Sequence, residues 1–337
     1  MFSANLSLYN KFLKKQSFWN VVSYLSPFVP NFVFKQKPKE IIVELTNACN
    51  LRCPVCPTHF AMKREKDFMK FNTFKLILKD FLHQKNKPLI SFSFAGEPLL
   101  HPNSPLFVKY AASKGFPTYI STNATLLNKD VSEKLITSGL TKIHLALDGF
   151  SKKSHEAYRI GSNFEKVKKN IETFIRIKEK IGSNKPYVVI QTLITSFSEC
   201  EIDKLITWAR EIGANEVYFK SFSMGSYTTQ AMKKKYSYFL PKNKKYRRDY
   251  SKITKTVCLS PITQALVFWD GSLGLCCIDF DNISNMPKIT EFGGFMKTFT
   301  SKKAIGVRKL AFRKKLELCK KCDIGSTLYY GFKVKIK

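Results

Sequence analysis

From about residue 40 to residue 221, short apolar runs alternate with stretches whose apolar positions recur every three to four residues. The runs at 41–46, 88–96, 117–122, 142–149, 187–194 and 216–221 read as strands. The stretches at 71–82, 104–115, 129–139, about 150–181 and 200–213 read as helices, with Gly115 and Gly139 placed to end two of them. Strands alternating with helices at this spacing give βα units and a parallel sheet. Six strands fall short of the eight that close a (β/α)8 barrel. The fold class is therefore α/β, as an open partial barrel or a doubly wound sheet.

Both flanks break this rhythm. Near the start, Leu6, Tyr9, Phe12 and Leu13 recur at helical spacing beside Lys11, Lys14 and Lys15. This predicts an amphipathic helix that caps the fold or rests on a membrane surface. The aromatic stretch 18–34 is interrupted by Asn20, Ser23, Pro27, Pro30 and Asn31, too polar for a membrane span. Beyond Gly225, residues 233–255 carry ten Lys/Arg and one acid, with four tyrosines and a phenylalanine interleaved. Such a mixture can bind single-stranded nucleic acid, although a solvated insertion is the reading we prefer. Residues 264–279 then give two short strands about an Asp270–Gly271 turn, followed by a basic helix near 299–315. The expected organisation is a lead-in at 1–37, a barrel at 38–224, a basic linker at 225–257 and an extension at 258–337.

Composition narrows the function. The chain has 337 residues, 44% of them apolar, enough for a sizeable core. A net charge of +32 favours anionic partners, or reflects lysines on solvated faces. No signal peptide is visible, so a cytoplasmic protein with reduced thiols is expected, with peripheral membrane contact as the alternative. The nine cysteines are odd in number and clustered, unlike a disulfide scaffold.

Three of them, Cys49, Cys53 and Cys56, follow the first strand in C-x3-C-x2-C spacing. In parallel α/β folds ligands bind at the carboxyl ends of strands. A structural zinc takes four ligands, and the nearest candidate fourth is His59. Three thiolates without an obvious fourth suit a [4Fe–4S] cluster with one open iron. The motif, with "FAGEP" at 94–98, "STNAT" at 121–125 and "LALDGFSKKSHEAYRIG" at 145–161, resembles the radical S-adenosylmethionine (SAM) superfamily.

The resemblance implies a partial (β/α)6 radical SAM barrel in which Cys49, Cys53 and Cys56 hold the cluster and SAM chelates its fourth iron. It implies SAM contacts at Glu97, Ser121, Thr122, Asn123 and Arg159, with Gln191 a further candidate on the fifth strand. Ala95, Ala124 and Ala146 stand where the family favours Gly, Gly and Ser. The spacing Cys258-x12-Gly271-x4-Cys276, with Cys319-x2-Cys322, resembles a small SPASM/twitch extension. That implies one auxiliary [4Fe–4S] cluster on Cys258, Cys276, Cys319 and Cys322. Cys277 is the alternative to Cys276, and zinc the alternative metal.

The implied chemistry is reductive cleavage of SAM to a 5′-deoxyadenosyl radical, which takes hydrogen from a substrate C–H bond. The implied partners are an electron donor such as flavodoxin or ferredoxin and a substrate that is a sugar or phosphorylated small molecule, a glycan or a peptide. An anionic surface contact is a further expectation, and nucleic acid is not the expected partner. The rival reading is a non-enzymatic, zinc-stabilised nucleic-acid-binding protein.

Overall fold

The computed structural model describes residues 29–225, 227–248, 258–320, 322 and 331–336. Most of the expected amphipathic lead-in (1–28) and the end of the basic–aromatic stretch (249–255) lie outside the described residues. The six expected strands are present as β1 (Glu40–Val43), β2 (Leu89–Phe92), β3 (Thr118–Thr122), β4 (Lys142–Ala146), β5 (Tyr187–Ile194) and β6 (Glu216–Ser221). They pair side by side in sequence order, all parallel. The helices between them cover one face. Helix Phe164–Lys180 presents Val167, Ile171, Phe174 and Ile175 to the core at helical spacing. Each such side chain contributes about 1.5–3 kcal/mol by leaving water.

Two departures from the periodicity matter. The helical region expected through residue 181 is two helices, Lys152–Tyr158 and Phe164–Lys180. Gly161 breaks the run with φ +91°, and the Asn163 side chain caps the second helix by accepting from the Lys166 N–H. The break leaves Arg159 at the end of the first helix rather than on a continuous surface.

Among the described residues the sheet also has nine strands, in the order β8-β7-β1-β2-β3-β4-β5-β6-β9. β7 (Gln264–Val267) lies parallel to β1, and β8 (Leu273–Gly274) pairs antiparallel with β7. β9 (Gly331–Lys335) runs antiparallel along β6. The segment expected as a separate extension therefore adds strands to both edges of the barrel sheet. Ala265, Leu266, Val267 and Phe268 are all buried, so this run needs cover on two faces. Among the described residues no helix is long and apolar enough to cross a membrane.

Candidate functional site

The cysteine loop is an excursion from the end of β1 that returns to its own stem. Thr46 bridges Phe68, and the Met69 N–H donates to Leu45 O at 2.8 Å. Inside, the fully buried Asn47 closes the loop. Its Nδ2 donates to Glu65 O at 2.8 Å and its Oδ1 accepts from the Asp67 N–H at 3.2 Å. Cys49, Cys53 and Cys56 pack into one apolar cluster with Leu51, Val55, Tyr158, Phe222 and Phe239. The backbone of Arg52 is tied to Ile160 O at 2.9 Å, which seats the loop beside Arg159.

The next loop fits under it. Gly96 has φ +76°, and a Cβ there would lie 2.3 Å from Thr46 O and 2.6 Å from Ala48 O. Only glycine lets the two backbones approach this closely. The left-handed position is thus Gly96, not Ala95. In the third-strand loop it is Ala124 itself, at φ +58°, so alanine occupies a conformation that glycine adopts at less cost.

Glu97 joins these loops. Thr122 Oγ1 and the Leu99 N–H donate to its Oε1 at 2.6 and 3.0 Å, and the Asn123 N–H donates to its Oε2 at 2.8 Å. Burial pushes its carboxyl above the ordinary range, against these donors. Asn123 in turn points at the cysteine loop, with Nδ2 3.0 Å from Asn50 Oδ1 and 4.0 Å from Cys49 Sγ. Arg159 donates through Nε to Asp148 Oδ2 at 2.5 Å, while Asp148 Oδ1 accepts from the Leu193 N–H at 2.7 Å. Burial opposes the arginine's charge, but Asp148 and Cys53 outweigh it and push its pKa up.

These residues form one group: the three cysteines, Glu97, Thr122, Asn123 and Arg159. Ser121 neighbours them on β3 and is half-buried. Gln191 sits apart, its Oε1 3.1 Å from His144 Nδ1. No periodicity or spacing singles out Asn50 or His144. Asp148 lies within the 145–161 segment, and only its contact with Arg159 reveals its role.

The donor set suits a thiolate-ligated cluster. The Leu51 N–H donates to Cys49 Sγ at 3.4 Å, and a cation stands beside Cys53. Burial raises the Cys49 thiol and pushes Cys53 up to about 12, so both hold protons until a metal displaces them. His59 is exposed on the outer side of the loop, facing a separate hollow. Among the described residues no three His, Cys, Asp or Glu side chains are gathered to hold a single metal ion.

The second group of cysteines also converges. Cys258, Cys276, Cys319 and Cys322 line one cavity of about 20 Å³. Cys277 is exposed, yet its thiol lies within electrostatic reach of Cys322 and Cys258. The Asp279 carboxylate holds this loop, accepting from the Leu275 N–H at 3.1 Å and the Ser284 N–H at 3.3 Å.

The radical SAM superfamily model matches residues 43–209. Among curated proteins, the tungsten-containing aldehyde ferredoxin oxidoreductase cofactor-modifying protein of Pyrococcus furiosus is 26% identical over 181 residues, 52% of this chain and 49% of that protein. The chain spans about half the length, or less, of the curated relatives it matches first. Among solved structures, BtrN in complex with AdoMet and 2-DOIA superposes with TM-score 0.52 at 18% identity, covering 85% of this chain and 93% of that one. Streptococcus suis SuiB bound to S-adenosylmethionine superposes with TM-score 0.60 at 17% identity, covering 85% and 70%.

Proposed function

The chain belongs to the radical SAM superfamily through residues 43–209, and from that premise we propose that it is a hydrogen-abstracting enzyme using Cys49, Cys53 and Cys56 as cluster ligands. Glu97, Asn123 and Arg159 frame the SAM beside them. The observation that carries this reading is the convergence of these six residues, which come from four separate loops. Bound together, a [4Fe–4S] cluster and SAM supply reductive carbon–sulfur cleavage and a radical able to take hydrogen from an unactivated C–H bond.

The chain's own residues do the rest. Arg159, oriented by Asp148, provides the positive charge that a SAM carboxylate needs. Glu97 fixes the backbone of Asn123, so that its amide faces Cys49. Leu51, Val55, Tyr158, Phe222 and Phe239 keep water from the thiolates. Cys258, Cys276, Cys319 and Cys322 hold one auxiliary [4Fe–4S] cluster, a role supported by their shared cavity. The substrate is an anionic small molecule, a sugar or a phosphorylated compound. The net charge of +32 supports this class, as do Lys142, Lys220 and Lys333, whose charges all act on His144 of β4.

Anaerobic reconstitution tests the reading. We expect about eight iron per chain, and 5′-deoxyadenosine formation that is lost when Cys49, Cys53 and Cys56 become alanine. One or two bound zinc ions without SAM cleavage would overturn it and restore the zinc-stabilised alternative. Transfer of label from deuterated sugar phosphates into 5′-deoxyadenosine tests the substrate class. Label arriving only from peptides would replace that class.

A further inference from the structure

On the outer side of the cysteine loop lies a hollow of about 480 Å³ that the proposed chemistry does not use. Arg52 and Pro54, which flank Cys53, form one wall with His59 and Phe60. Met232, Lys235 and Tyr236 form the other, and Ile160 completes the lining. Phe60 and Tyr236 also pack against the apolar cluster that contains Cys49, Cys53 and Cys56. One layer of side chains therefore separates the hollow from the thiols.

The rim is cationic. Arg52, His59 and Lys235 are exposed, Lys234 is exposed beside them, and no acidic side chain lines the hollow among the described residues. Lys235 lies 5.3 Å above the Tyr236 ring. An exposed apolar group sits among these charges, Ile160 at 47% exposure. A small apolar centre ringed by one sign of charge favours fast, weak, electrostatically steered encounters.

We propose that this hollow is the docking surface for a small, acidic, one-electron carrier protein. The inference rests on the radical SAM reading, whose chemistry consumes electrons supplied from outside the chain. In the step it assigns, one electron leaves the reduced carrier and enters the cysteine-ligated site. The carrier is oxidised by one electron and no bond to it forms.

The test uses reconstituted holoenzyme with reduced flavodoxin as the carrier, compared with chemical reduction by dithionite. In K234E/K235E, the flavodoxin concentration for half-maximal SAM cleavage should rise about tenfold at low salt, and its salt dependence should flatten. The dithionite-driven rate should stay at the wild-type level. K109E/K114E, on the helix Ser104–Ser113 and just beyond it, should leave both unchanged. An unaltered flavodoxin dependence in K234E/K235E would overturn the proposal. So would an equal effect in K109E/K114E, or a parallel fall in the dithionite-driven rate, which would mark the hollow as a substrate or SAM site. Wild-type protein that fails to cleave SAM even with dithionite would instead defeat the radical SAM reading.

Discussion

Glu97 shows how much one side chain can hold. Its carboxylate receives three donors from two loops, and one of those donors is the backbone of the residue that faces Cys49. In Glu97→Gln an amide N–H₂ must face one of those donors. We expect a loss of about 1–3 kcal/mol in thermal or urea unfolding, together with weaker SAM binding by calorimetry. Two backbone positions make the same point with opposite signs. Gly96→Ala places a methyl against Thr46 O and Ala48 O, so it should displace the cysteine loop and lower iron content after reconstitution. Ala124→Gly relieves a left-handed alanine and should stabilise the fold by about 0.5–1 kcal/mol in the same unfolding assay. The cysteines carry a further prediction. Because burial raises the Cys49 and Cys53 thiols, loading must expel their protons. Apparent iron affinity should therefore increase as pH rises, and loading should acidify a weakly buffered solution.

At the scale of elements, the segment 57–69 that follows the cysteines is held by the far end of the chain. Asp281 Oδ1 accepts from the backbone N–H groups of Lys63 and Arg64 at 2.8 and 3.2 Å. Arg64 makes a forked pair with the buried Glu44, at 3.1 and 2.6 Å, and donates through Nε to Phe280 O at 2.7 Å. Lysine cannot reproduce that fork. Arg64→Lys should keep the fold but speed hydrogen exchange across 57–69 in mass spectrometry, and Asp281→Ala should do the same. Unchanged protection in both would show that the staple is dispensable. The strands themselves were legible because burial on both faces leaves uninterrupted apolar runs, and β5 and β6 match their expected bounds residue for residue. The kink before Asn163 was less legible, because periodicity continues across it and only Gly161 signals the break.

For the whole molecule, the interior of the partial barrel carries a pH signature. His144 lies beside Gln191, Tyr119 and Tyr218, with Lys142, Lys220 and Lys333 acting on it. Burial, aided by those lysines, lowers its pKa from 6.5 to about 3. The unfolded chain therefore binds a proton that the folded chain refuses in this window. Stability present above pH 6.5 is lost as pH falls toward 3. His144→Asn should reduce the slope of the melting-temperature profile between these limits, while the losses linked to His155, which burial lowers to about 4, and to carboxylates persist. An unchanged slope would mean that the imidazole is protonated in the native state.

The sequence by itself determined the α/β class, the six parallel strands and the family, because these depend on periodicity and on a fixed spacing of thiols after a strand. It also grouped the C-terminal cysteines, with Cys276 favoured by its spacing from Gly271 and Cys277 as the alternative. In the structure Cys276 lines the shared cavity, and the Cys277 thiol lies within electrostatic reach of Cys322 and Cys258. Only the tertiary structure decided that β7 and β9 extend the same sheet, since strand pairing joins residues more than a hundred positions apart. It alone turned Asp148 toward Arg159 and closed Glu97 onto Asn123. It also set the hollow of Arg52 and Lys235 one side-chain layer from the cysteines. Contacts of this kind follow from loop packing, and local pattern carries no information about which loops will meet.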